Sequence, residues 1–204
     1  MTTFYFIRHG QTDANAMGLK QGTINDNRTH LTALGRQQAA ALRRHFDISF
    51  ADQLYVSPLD RTRETAAILN TNAHLPVRID ERLLEISYGA WDGQANAALM
   101  TAHPEVFDPV LKDVLPNYTS VAQDGETFLQ VQTRVAAFMQ EVAAAQADGK
   151  IIVVTHGFTV KAAALVATQT PQPMSLPEPA NTSVTQIQLT AGRYFVWSYN
   201  QVFA

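Results

Sequence analysis

No cysteine occurs anywhere in the 204-residue chain. Disulfides, thiolate nucleophiles and cysteine-held zinc are therefore excluded. Charge is sparse: Asp, Glu, Lys and Arg make up 16% of the residues, and the net charge is -3. That balance offers no electrostatic case for nucleic acid or an anionic membrane surface. No apolar stretch approaches the roughly 20 residues of a membrane span. Met1 to Gly10 carries no basic leader, and only a short apolar run precedes Arg8, so it reads as a buried strand and not as a signal peptide. Repeats and low-complexity tracts are missing too. A soluble, cytoplasmic protein is the expectation. Apolar material, by contrast, is plentiful at 46% of residues, enough for a packed core in a single domain over residues 1–204.

Strand-like and helix-like segments alternate along the chain. Thr3 to Ile7 is a β-rich run closed by Gly10. Leu31 to Phe46 has Leu31, Leu34, Ala41 and Leu42 at helical spacing behind Thr32, a residue type suited to capping. Gln53 to Val56 is a short strand stopped by Ser57-Pro58, and Asp60 to Leu69 a second helix. Val77 to Ile79 is a further short strand. Residues 125–147 contain a long helix with the stripe Phe128, Val131, Val135, Phe138 and Val142. The β-branched run Ile151 to Val154 suits a strand buried on both faces, and a helix follows to Thr168. Pro171, Pro173, Pro177 and Pro179 mark a stiff surface loop. Val184 to Leu189 and Tyr194 to Tyr199 read as a closing hairpin around Ala191-Gly192, with Trp197 and Tyr199 as sheet packing. This alternation predicts an α/β sandwich with a mostly parallel sheet. Ligands of such sheets bind beyond the carboxyl ends of the strands. His9, Ser57 and His156 each follow a strand, so the pattern gathers them on one sheet edge.

Several clusters there could carry chemistry. Neutral imidazole attacks phosphorus well near neutral pH, and Gly10 lets the backbone turn beside Arg8-His9. An Arg-His pair taken alone is more often a half-buried histidine next to a surface arginine. Arg61, in the first turn of a helix after Ser57-Pro58, has the forked guanidinium that suits phosphate oxygens. Arg63 and Glu64 read as solvated helix surface. Thr155-His156-Gly157 repeats the strand-histidine-helix arrangement; by itself it fits a metal ligand or a core histidine equally. Glu85 stands at the root of a loop with Gly89, Trp91 and Gly93, as a general acid or as one half of a salt bridge. His30, His45, His74 and His103 have no motif behind them.

Taken in order, Arg8-His9-Gly10-Gln11-Thr12 with Asn15, Leu31-Thr32 with Gly35, Ser57-Pro58-Leu59 with Arg61 and Thr65, Glu85 with Gly89 and Trp91-Asp92-Gly93, Gly125-Glu126, and Thr155-His156-Gly157 resemble the histidine phosphatase superfamily, in its phosphoglycerate mutase-like branch. The matches run through nearly the whole chain. The resemblance implies a three-layer α/β/α sandwich with a mixed, mostly parallel sheet, no metal, no cofactor and a phosphohistidine intermediate. It implies His9 as nucleophile, with Arg8, Arg61 and His156 holding the phosphoryl group and Glu85 as proton donor and then base for water. Asn15, Gln21, Gly22, Ser57 and Gly157 fall at phosphate-contacting or neighbouring positions, and Arg134 at a structural one. On electrostatic grounds His9 must be neutral and His156 is better protonated, with their pKa values pushed apart.

The superfamily contains hydrolases and mutases. Residues 94–124 form the expected helical lid. They hold one lysine, Lys112, no arginine, and apolar residues from Leu99 to Tyr118. That composition fits either a partly apolar lid over an organic leaving group or plain core packing. A cation-poor lid favours a phosphatase of small monoesters over a phosphoglycerate mutase, whose substrate is strongly anionic. A metallophosphatase using His9, His156 and aspartates lacks any H-x-H or D-x-D ligand pair. A catalytically inactive phosphate-binding module is the remaining alternative. The expected partner is a small phosphorylated metabolite; oligomeric state stays open.

Overall fold

The computed structural model describes residues 1–203. Six strands form one mixed sheet: β1 (Thr2–Arg8), β2 (Gln53–Val56), β3 (Val77–Ile79), β4 (Lys150–Thr155), β5 (Val184–Thr190) and β6 (Arg193–Gln201). Their order is β3-β2-β4-β1-β5-β6. The first four are mutually parallel, while β5 runs antiparallel to β1 and β6 antiparallel to β5. Six α-helices accompany them: α1 (Asp13–Ala16), α2 (Ala33–His45), α3 (Asp60–Leu69), α4 (Asn96–Ala102), α5 (Phe128–Ala145) and α6 (Gly157–Thr168). No helix among the described residues is long and apolar enough to cross a membrane.

The two-residue period of a strand sorts side chains into two cores. Phe4 and Phe6, Tyr55, Ile151 and Val153 face one side, where the α5 stripe and Phe158 of α6 pack on them. Ile7, Leu54, Val56, Ile152 and Val154 face the other, against Leu42 of α2 and Ala66 and Leu69 of α3. The continuous apolar run in β4 is thus buried on both faces, and three layers result. The ends of α2 and α5 follow their caps: Thr32 accepts from Gly35 N–H, and Thr127 forms a capping box with Gln130.

Two expectations are corrected. Leu34 is exposed, and Gly35, Ala39 and Leu42 make the buried side of α2. Trp197 is 65% exposed, because β6 is an edge strand with no layer over that face; its indole donates to Gln188. Of the two readings of residues 94–124, core packing holds for most of the apolar side chains: Leu99, Val106, Phe107, Val114 and Tyr118 join Trp91 and Phe128 in the larger core, while Leu111 lines the pocket.

Candidate active site

β2, β4 and β1 lie side by side, with Arg8 level with Thr155 and Val56 level with Val154. His9, Ser57 and His156 are the next residues along these strands and so converge. A pocket of about 340 Å³ opens there, lined by Arg8, His9, Asn15, Gln21, Gly22, Arg61 and Glu85 among others. His156, Ser57 and Gly157 lie behind its wall.

The His9 ring is buried, with Nδ1 2.7 Å from the Gly10 carbonyl. A carbonyl only accepts, so Nδ1 carries the proton and Nε2 keeps its lone pair. Burial, then the charges of Arg61 and Arg8, push His9 well below the usual histidine range, and the Gly10 bond only partly opposes them. His156 meets His9 edge-on, with ring centroids 5.3 Å apart. Its Nδ1 accepts from Arg61 Nε at 3.2 Å, and its Nε2 lies 2.7 Å from Ser57 Oγ. A ring that accepts at Nδ1 is neutral. Burial, Arg61 and His9 hold His156 well below the usual range as well. The two histidines are therefore shifted in the same direction, not apart, because both are buried and the same pair of guanidinium groups acts on both.

Arg61 is fully buried, and burial lowers its pKa to about 10, which leaves it charged at neutral pH. Its terminal nitrogens donate to the carbonyls of Gly22 and Ile24, both at 2.8 Å. Gly22 has φ +48, and a Cβ there would fall on the Asp92 carboxylate. Asp92 in turn accepts from Thr23 and from Tyr88 N–H. The early loop, Arg61 and the Trp91-Asp92-Gly93 loop are thus one hydrogen-bonded unit. Asn15 and Gln21 spend their side-chain carbonyls on Thr12, and their amide nitrogens have no acceptor among the described residues.

Glu85 is held from three elements. Arg134 of α5 donates to the Arg82, Leu84 and Glu85 carbonyls. Thr155 and Thr159 donate to Leu83 and Leu84. The Glu85 carboxyl sits on the N-terminus of α6: Oε1 accepts from Ile86 and Thr159 N–H, Oε2 from Phe158 N–H alone. Oε2 therefore has room for a proton. Burial, and next the Glu178 carboxylate, raise Glu85 above the usual carboxylate range, against the pull of the Ile86 N–H and of Arg8 and Arg61.

Four polar residues of the site escaped the sequence reading. Asn181 donates to the His9 carbonyl at 2.9 Å. Lys20 forms a 2.7 Å buried ion pair with Asp113 of the 94–124 segment. Glu178 lines the pocket and pairs with Arg8 at 3.0 Å. The β1–β5 pairing places Asn181, just ahead of β5, beside His9; nothing local in sequence marks the other three. This side of the pocket is accordingly polar, with Asn96, Lys112 and Asp113 beside Leu111. Among the described residues no group of three His, Asp or Glu side chains is placed to hold a metal ion.

A mixed sheet with two histidines and two arginines at its carboxyl edge defines a phosphate-handling α/β protein. The family pattern of the histidine phosphatase superfamily (branch 1) matches residues 4–202, and the chain belongs to that superfamily. It is 29% identical to phosphoserine phosphatase 1 of Hydrogenobacter thermophilus over 162 residues, 79% of this chain and 74% of that one. It is 31% identical to the adenosylcobalamin/alpha-ribazole phosphatase of Escherichia coli over 152 residues, 74% and 72% of the two chains. The solved structure of Bacillus stearothermophilus YhfR superposes with a TM-score of 0.86 at 30% identity, covering 99% of this chain and 98% of that one.

Proposed function

We propose that the protein hydrolyses small organic phosphate monoesters through a phosphohistidine on His9. The observation that carries this is the His9 ring itself: Nδ1 is tied to Gly10, and the residue lines a pocket shared with two arginines and Glu85. In the first half-reaction Nε2 bonds to phosphorus as the P–O bond to the leaving group breaks. Glu85 Oε2 gives its proton to the departing oxygen. In the second half-reaction the Glu85 carboxylate takes a proton from water, whose oxygen bonds to phosphorus as the N–P bond breaks. Inorganic phosphate leaves and Glu85 is protonated again. The protein's part is positioning and charge neutralisation, as phosphoryl transfer requires. Arg8 and the amides of Asn15 and Gln21 contact the phosphoryl oxygens. His156, through its bond to Arg61, holds that guanidinium in place.

Hydrolysis is preferred to mutase activity on charge. Four basic side chains line the pocket, with the Asp113 and Glu178 carboxylates and the acid Glu85. Two of the cations, Lys20 and Arg8, are already paired with Asp113 and Glu178. A phosphate monoester brings about two negative charges, and the pocket has little left for a further carboxylate. Two of the three similar proteins named above are named as phosphatases. The test is phosphate trapping from a labelled monoester: wild type should hold a base-stable, acid-labile label, and His9→Ala none. A label retained by His9→Ala would refute the mechanism. Interconversion of phosphoglycerates with negligible hydrolysis would refute the choice of reaction.

A further inference from the structure

Glu178 stands between Pro177 and Pro179, in the loop that sequence alone marks only as stiff surface. Instead of lying free, this loop roofs the site. Tyr199 donates its hydroxyl to the Pro177 carbonyl, and Asn200 accepts from Ala180 N–H. Arg8 donates to the Pro179 carbonyl, and Thr182 N–H to the Arg8 carbonyl. The loop is therefore fixed on both sides of Glu178. The Glu178 carboxylate rests on Gly157, where a Cβ would collide with it. One residue further on, Phe158 N–H holds Glu85 Oε2. Two carboxylates thus share the first turn of α6, and one of them also pairs with Arg8 at 3.0 Å.

We propose that Glu178 is a positioning residue which keeps the proton on Glu85 and sets the angle of Arg8 before the phosphate ester arrives. The proposal rests on the phosphatase reading above and deepens it. Two nearby carboxylates resist being charged together. Glu178 has its cation in Arg8 and sits nearer the pocket mouth, at 25% side-chain exposure. Glu85 is the more buried of the two, and burial and the Glu178 carboxylate both raise it. The other charged groups facing Glu85 are Arg8 from β1 and Arg61 from α3, which act in the opposite sense. Tyr88 lines the same pocket as a neutral phenol, its pKa pushed well up by burial and by Asp113. The arrangement has a cost: a carboxylate beside Arg8 competes with the phosphate dianion. Glu178 therefore trades affinity for a protonated acid.

That trade has a signature which a merely structural residue would not give. The comparison is of wild type, Glu178→Gln and Glu178→Asp, with circular dichroism to check folding. Inorganic phosphate should bind Glu178→Gln several-fold more tightly in calorimetry. For an alkyl phosphomonoester, KM should fall and kcat should fall with it. The alkaline limb of kcat/KM, which reports the free enzyme, should move down by about one pH unit. Above the limb this is about a tenfold loss. With p-nitrophenyl phosphate, whose leaving group needs no proton, kcat should hold. Glu178→Asp keeps the charge and should keep the wild-type limb. Gly157→Ala displaces the Glu178 carboxylate and should copy Glu178→Gln, which covers a failure of the latter to fold. Unchanged phosphate affinity together with superimposable pH profiles would overturn the proposal. Should wild type release phosphate from no ester at all, the phosphatase reading itself fails; the calorimetry would still judge Glu178.

Discussion

His9 and His156 are both held neutral by the same causes, burial first and then the charge of the guanidinium groups beside them. In the unfolded chain a histidine takes its proton near pH 6.5; in the folded chain these two take it at lower pH. Folding stability is thus complete above about pH 6.5 and is lost as pH falls below it, by up to about 1.4 kcal/mol per pH unit for each histidine. Urea unfolding at pH 7 and at pH 5.5 should show the loss, and a variant with both histidines changed to glutamine should show less of it. The same depression keeps His9 nucleophilic at mildly acidic pH, so the acid limb of kcat/KM should lie well under the ordinary histidine range. Glu85 gives a third residue-scale expectation. Glu85→Gln should cost about 10²- to 10⁴-fold in kcat/KM, which reports the first half-reaction, with alkyl esters, and far less with p-nitrophenyl phosphate. Equal losses of kcat/KM with both esters would argue that Glu85 is not the acid. Arg8, His9, Arg61, Glu85 and His156 were all legible in the chain, since each belongs to a short ordered motif. Glu178 and Asp113 were not, because their meaning comes from what they face.

At the scale of elements, the parallel strands do the aligning. Once β2, β4 and β1 pair in the observed register, residues 9, 57 and 156 must meet. The strands and the longer helices were readable from period and caps. The one-turn helix α1 was not, and α4 was expected only as part of a helical segment without bounds, since helices so short show no stripe. Lid and core packing could not be told apart for the 94–124 segment for a similar reason. Composition counts apolar side chains, but their direction is decided by the core they reach, and here it is the core around Trp91 and Phe128. The early loop offers a direct test. Gly22 has φ +48 and lies against Asp92, while its carbonyl accepts from Arg61. Gly22→Ala should therefore destabilise by at least roughly 1–3 kcal/mol in urea unfolding from backbone strain. It should also weaken binding of inorganic phosphate, because Arg61 loses its anchor. A variant with wild-type affinity would show that the loop does not position Arg61.

For the whole molecule, the 94–124 segment is tied to the rest of the site by Lys20 and Asp113, 93 residues apart in the chain and mostly buried. Removing one partner strands the other charge. Lys20→Met should cost about 3–5 kcal/mol, and adding Asp113→Asn should recover much of that. Additive losses in this double-mutant cycle would mean that the pair does not couple the segment to the body. The same pair decides how much charge the leaving-group pocket can offer, a matter that a count of lysines could not settle: Lys20 arrives from outside the segment, and Asp113 cancels it. The sequence by itself determined the layered α/β architecture, the superfamily and the five residues at the centre of the site, because strand period, helix caps and ordered short motifs are local properties. Only the tertiary structure decided the shared depression of the two histidines, the polar character of the pocket beyond them and the place of Glu178 over Gly157. Those are set by distances between residues far apart in the chain, and by the low dielectric that burial creates around them.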